Sequence, residues 1–261
     1  MRSAFPATDM GFAEVLRRGL AAGAAAGMAA AVVLYLVVEP VIRRALVIEE
    51  ARGAGAGDGH SHTHSADEAE PVVSRTVQVI GGMGTAIVVG CLFGLAFAVV
   101  FARTRHRLVA TTEHGRAVIL AGLGFLTFAL LPALQIPSNP PAVGDPATVD
   151  RRSLIWVLTI LVAVAIVLAV FALDAALVER GLSAPVRSSV GAVLFLALAT
   201  VMLLVLPGTP DPIPDDVPPA LIWDFRLASL AQLAAMWSTL GLVFGLLVTP
   251  RVRREAEAIA A

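Results

Sequence analysis

The chain has 261 residues, 57% of them hydrophobic and 15% charged, with a net charge of −1. Soluble domains carry roughly 25% charged residues, and a near-neutral balance offers no basic face to nucleic acid. All 19 basic residues are arginine, which excludes a Walker A loop, since that loop needs lysine to reach nucleotide phosphates. The single cysteine, Cys91, excludes an internal disulfide.

Six stretches without Asp, Glu, Arg or Lys follow in chain order: Gly19–Val38, Val77–Phe101, Ala117–Leu134, Leu154–Leu173, Ser189–Leu206 and Leu227–Val248. Each holds 18 to 25 residues, and about 20 apolar residues in a helix cross a hydrocarbon core about 30 Å thick. A soluble helix needs one apolar stripe, whereas these are apolar on every face. The expected fold is all-α: a polytopic membrane protein of six transmembrane helices joined by Pro-rich outer loops. The first stretch is longer than the apolar core of about 7–15 residues in a secretory signal, and it ends in Glu39-Pro40 rather than a small-residue cleavage site. It is therefore read as a retained helix. The expected division is an N-terminal segment 1–18, a six-helix domain 19–248 with an outer loop at 39–76, and a C-terminal tail 249–261.

Six spans put both termini on one side. With that side cytoplasmic, the inner segments carry twelve arginines and the outer segments seven, namely Arg43, Arg44, Arg52, Arg75, Arg151, Arg152 and Arg226. Positive residues favour the cytoplasmic side, so both termini are expected inside, in a cell membrane. Tyr35, Trp156 and Trp223 then fall at outer helix ends, where amphipathic rings sit. Trp237 is mid-helix and reads as a packing residue.

In the first outer loop, His60-Ser-His-Thr-His64 places three imidazoles at a spacing that puts them on one side of an extended segment. Neutral imidazole binds cobalt, nickel, copper and zinc. The Gly-rich run before it is a tether, and Asp67, Glu68 and Glu70 add negative charge. The plain alternative is a polar loop that contains histidine. Glu39, at the end of the first helix, and Asn139 and Asp145, in the loop Gln135–Pro146, are oxygen ligands at the membrane edge, with prolines 137, 140, 141 and 146 stiffening the backbone. That loop reads equally as a cap over a pore mouth or as an ordinary turn. Gly19, Gly23 and Gly27, with Gly90 and Gly94, recur at the four-residue spacing that lets helix backbones approach in lipid. Packing is their reading; a helix break at Gly81–Gly84 that bares carbonyls to an ion is the functional alternative. Met28, Met83, Cys91, Met202 and Met236 are the soft atoms within the spans, with Met83 the foremost candidate ligand because it sits among the glycines. His106, Glu113 and His114 lie in an arginine-rich inner loop, read as a solvated loop or as a release site. No carboxylate lies within the apolar stretches, so a proton relay has no candidate there.

Several of these segments together resemble the CbtA family of proposed cobalt transporter subunits. They are the Gly-x-x-x-Gly helix leading to Glu39-Pro40-Val-Ile and Ile48-Glu49-Glu50, the His tract, and Arg75-Thr-Val-Gln78 entering a Gly-rich helix. Then come Leu131-Pro132, the loop Pro137-Ser-Asn-Pro-Pro-Ala-Val-Gly-Asp-Pro146, and Leu221-Ile-Trp-Asp-Phe-Arg-Leu-Ala-Ser229. The most specific is Asn139-Pro-Pro-Ala-Val-Gly-Asp145. The resemblance implies cobalt(II) uptake for cobalamin synthesis, beside a CbtB-like small one-span partner with a His-rich end. It implies no resident cofactor and no enzymatic activity, and a homo-oligomer is left open. The other readings are a membrane-anchored metal sensor or scaffold that does not transport, and a lipid-acting enzyme. The last lacks any clustered nucleophile or acid–base set.

Overall fold

The computed structural model describes residues 11–55, 74–141 and 143–249. Among these, six helices are long and apolar enough to cross a membrane: α1 Phe12–Arg52, α2 Arg75–Arg107, α3 Glu113–Gln135, α4 Pro146–Glu179, α5 Ala184–Val205 and α6 Pro219–Val248. No strand occurs among the described residues. The all-α membrane expectation holds.

The helices outrun the apolar stretches. Helical backbone continues past Val38 to Gly55, so the first part of the expected outer loop is helix, and most of the rest of that expected loop lies outside the described residues. The last apolar stretch opens at Leu227, yet its helix begins at Pro219, so Asp224 and Arg226 lie inside it. The reason is that charge sets where a helix leaves the hydrocarbon, not where its hydrogen bonding stops.

Pro40 and Pro132 stand inside helices, where proline removes a donor and clashes with the carbonyl four residues back. The chain absorbs both in the same way. A five-residue π turn, Leu34–Val38, ends two residues before Pro40, and another, Leu126–Leu130, ends two residues before Pro132. Glu39 N–H donates to the Leu34 carbonyl and Leu131 N–H to the Leu126 carbonyl, each spanning five residues instead of four.

Helices α1, α2, α3 and α6 share one core, built from Ala22, Ala26 and Ala30, Phe97 and Phe101, Ala117 and Ala121, and Trp237, Leu240 and Phe244. The α1–α2 contact is backbone on backbone. A Cβ added at Gly94 would stand 2.6 Å from Gly23 Cα, and one added at Gly90 would stand 2.5 Å from Gly27 Cα. The glycine spacing is therefore a packing device, and α2 runs unbroken through Gly81–Gly84, so the alternative of a bared-carbonyl break there is overturned. On α6, Trp237 packs into the space left by Gly124, where an added Cβ would meet its ring at 2.6 Å. It also stacks on Phe128 and meets Phe93 edge-on, as a packing residue does.

α4 and α5 form a hairpin to one side, joined to α3 through Leu131, Ala163, Ile166, Ala199 and Met202. Its turn needs a left-handed residue, supplied by Gly181 at φ +74°. Leu182 N–H then reaches the Leu177 carbonyl and Gly181 N–H the Val178 carbonyl, the paired bonds of a Schellman ending. Arg187 Nε donates to Asp174 at 3.0 Å across the turn. Large apolar side chains on this hairpin stay exposed, Leu204 by 80%, as suits a face bathed in lipid.

Gly94→Ala should destabilise the protein by at least about 1–3 kcal/mol, because backbone cannot yield as a side chain can. Gly84→Ala, with nothing within 4 Å of the new Cβ, should leave the unfolding midpoint unchanged or slightly raised. Thermal unfolding of the two solubilised variants checks the pair.

Candidate functional site

The side of the molecule opposite Gly11 and Thr249, the first and last described residues, carries a layer of arginine–carboxylate contacts over a small apolar cluster of Val38, Val41, Ala45, Val143, Val217 and Leu221. The cluster draws the end of α1, the Pro-rich loop after α3 and the start of α6 together. Glu39 lies just past the π turn of α1, and its carboxylate is 4–5% exposed. Arg43 Nε, one turn on, donates to it at 2.9 Å. Arg75, the first residue of α2, grips both oxygens: Nη2 at 2.5 Å and Nε at 3.1 Å. A buried carboxylate needs such partners, and the fork geometry of arginine supplies two bonds at once.

Asn139 Oδ1 accepts from Arg226 Nη2 at 3.1 Å, tying the Pro-rich loop to α6. Asp145 caps the short 3₁₀ turn Pro146–Thr148 that opens α4, its carboxylate accepting from Ala147 N–H at 2.8 Å. Glu39, Asn139 and Asp145 thus have three separate sets of partners. Among the described residues no three His, Cys, Asp or Glu side chains gather into a group that would hold a metal ion. Met83 is half-buried on α2, and His60, His62 and His64 lie outside the described residues.

One acidic residue of this layer stood out neither by motif nor by position in the sequence. Asp211 has a fully buried carboxylate, 3.0 Å from Arg152 Nη1. It also accepts from Thr148 Oγ1 at 2.5 Å and from Asp145 N–H at 3.5 Å. The Arg152 guanidinium lies against Gly144, which has φ +129° and no side chain to obstruct it. Farther out, Arg44 meets Asp224 at 2.9 Å and Arg52 meets Asp216 at 2.5 Å. The hydrogen bonds from Arg52 hold the Asp216 carboxyl below its ordinary range.

Beneath this layer a pocket of about 390 Å³ sits among α1, α2, α3, α4 and α6. Thr85, Ser138 and Gln232 are among its polar lining residues; Met236 and Trp156 also line it. Phe93, Phe128 and Trp237 line it together, with ring centroids 5.3–6.2 Å apart. Toward the termini the same helices continue into a second aromatic group, Phe97, Phe101 and Phe244. The second π turn lends Phe128 and Ala129 to the wall, and Pro132 follows. The sequence did carry a signal for Gln232: an amide deep in an apolar stretch has to be accommodated in hydrocarbon.

On the terminal side, Thr112 Oγ1 accepts from Gly115 N–H and starts α3. Glu113 pairs with Arg116 at 2.7 Å and with Arg105 at 3.7 Å. His106 is exposed. His114 packs on Gly245 of α6, and its Nδ1 has no hydrogen-bond partner among the described residues.

This architecture accompanies a match over nearly its whole length: residues 12–249 fit the family model of CbtA, described as a probable cobalt transporter subunit. The chain belongs to the CbtA family. No match was found among curated proteins or among solved structures. The family makes this chain a multi-pass membrane subunit of a transporter, with cobalt the ion its description names.

Removing both Arg43 and Arg75 leaves the Glu39 carboxylate buried without a counter-charge, and the double alanine variant should lose about 3–5 kcal/mol. Glu39→Gln leaves two arginines that already reach solvent, 65% and 36% exposed, and should cost less, about 1–2 kcal/mol. Thermal unfolding of the two variants in one detergent ranks them; equal losses would show that the arginines do not serve Glu39.

Proposed function

We propose that this chain is the membrane subunit of a cobalt(II) importer that supplies cobalamin synthesis. It would work beside a CbtB-like small one-span protein, with both termini in the cytoplasm. The observation that carries the reading is the family match across residues 12–249. The twelve-to-seven division of arginines supports the orientation. His60, His62 and His64 collect the ion on the loop side. Glu39, Asn139 and Asp145 then take it by exchanging their present protein partners for metal, since cobalt(II) accepts mixed nitrogen and oxygen ligands. Met83 offers a thioether further in. In this reading the protein is not an enzyme and holds no resident cofactor.

One observation favours a second reading, a metal-binding sensor or scaffold that does not transport. The carboxylates of Glu39, Asp211, Asp216 and Asp224 are all paired with arginine. Metal binding would then register as a change in that lattice.

Uptake of radiolabelled cobalt, with and without the one-span partner, separates the two. Import predicts accumulation above that of cells lacking the chain; a sensor gives none. Within the import reading, replacing all three histidines by alanine should raise the half-saturating cobalt concentration several-fold and leave the maximal rate nearly intact. Loss of uptake at saturating cobalt would place the tract in the path itself. Asp145→Asn keeps a good capping side chain and so keeps the fold. It should lose most uptake if Asp145 hands over the ion, and normal uptake removes Asp145 from the path. For orientation, cysteines placed at Ser138 and Thr111 in a Cys91→Ala background should be labelled and unlabelled, respectively, by an impermeant thiol reagent in intact cells.

A further inference from the structure

The pocket beneath the arginine layer does not have the chemistry of a site for a bare dication. None of the residues lining it is charged. A divalent ion in a water-poor site without counter-charge is strongly disfavoured. The nearby loop-side carboxylates are held in ion pairs with Arg43, Arg75 and Arg152. The polar side chains of the lining are all neutral: the amide of Gln232, the hydroxyls of Thr85 and Ser138, and the indoles of Trp156 and Trp237. Thr85 Oγ1 already donates to the Gly81 carbonyl at 2.8 Å, which leaves it an acceptor.

The rest of the lining is aliphatic, aromatic or thioether, with Trp156, Trp237, Phe93 and Met236 the largest surfaces. A volume of about 390 Å³ with apolar walls and a few fixed polar groups matches pockets that hold small organic ligands, at about 300–1,000 Å³. We infer that this pocket binds cobalt as an uncharged chelate, an organic ligand having already supplied the donor atoms and cancelled the charge. The inference rests on the cobalt-import reading and replaces its ion-by-ion hand-over through Glu39, Asn139, Asp145 and Met83, since a metal already enclosed by its own ligand needs none of them. The chelate's apolar rim would lie on the rings, and one polar edge would meet Gln232. The metal would then need no ligand from the helices, in keeping with their lack of acidic side chains at this depth.

The test uses the full-length protein in nanodiscs, with tris(acetylacetonato)cobalt(III) as a neutral, exchange-inert chelate and cobalt(II) chloride as the bare ion. Bound cobalt is measured by equilibrium dialysis and atomic absorption. Saturable chelate binding is expected, absent from empty nanodiscs. Ala133→Phe, which puts a ring into the pocket, should weaken it strongly. Gln232→Leu, which preserves the pocket's bulk, should weaken it about three- to tenfold, the effect of one neutral hydrogen bond. Cobalt(II) chloride binding should be unchanged in both variants. If Ala133→Phe does not fold, Gln232→Leu decides. Chelate retention that does not saturate, or that is equal in wild type and Gln232→Leu, overturns the inference as lipid partition. Loss of cobalt(II) chloride binding in Gln232→Leu, with the chelate ignored, overturns it in favour of the bare ion. If cells take up neither form of cobalt while saturable, variant-sensitive chelate binding persists, the import reading falls and the pocket assignment stands.

Discussion

The backbone contact between α1 and α2 sets the rest of the arrangement. Lipid tails are as apolar as leucine, so helices in a bilayer are not driven together by burying hydrocarbon; they associate by close packing and by polar contacts. Gly19, Gly23 and Gly27 facing Gly90 and Gly94 remove the side chains that would hold the two backbones apart. Once the axes are fixed there, the start of α2 is held beside the upper part of α1, and Arg75 reaches Glu39. The same crossing leaves α1 free to pack its alanine face against α6, and α6 in turn against α3.

The loop-side arginines form the second tier. Counted by sequence, they blur the charge asymmetry that orients membrane proteins. In the structure, Arg43, Arg44, Arg52, Arg75 and Arg152 each neutralise an acidic partner, and Arg226 donates to Asn139. A guanidinium paired in this way is a structural part rather than a free positive charge. These contacts also fasten segments distant in sequence: α1 to α6 and to the loop before it, that same loop to α4, and the Pro-rich loop to α6.

Much of this was legible in the sequence and some was not, for definable reasons. The six spans show because each is a charge-free window of the right length, and the glycine register shows because four-residue spacing repeats one helix face. The extension of α1 past Val38 was hidden, because Glu39, Pro40 and two arginines mark the edge of the hydrocarbon and look like a loop. The partners of Glu39 were half hidden: Arg43 is one turn away and could be foreseen, but Arg75 is 36 residues on. Asn139 and Asp145 were legible as rigidly held polar groups, yet the choice between ligand and loop fastener depends on Arg226 and on the cap at Ala147, which only the folded chain brings to them. Of the pocket only Gln232 left a trace in the sequence, since its lining is spread over five helices.

The two π turns carry a consequence for how this chain tolerates change in length. A π turn is an α-helix holding one residue too many, and each residue turns a helix by about 100°. Deleting a single residue within Leu34–Val38 would let α1 close into a regular helix with its apolar length scarcely altered. The wide turn takes up the surplus residue, so everything beyond would keep nearly its present bearing on the glycine face below. What would return is the clash of Pro40 with the carbonyl four residues back. The same deletion in the regular turns below would swing Glu39 about 100° away from Arg75, and Val41 and Ala45 away from the loops they cover. The wide turn is thus a place where α1 can change in length without its two halves losing their common facing.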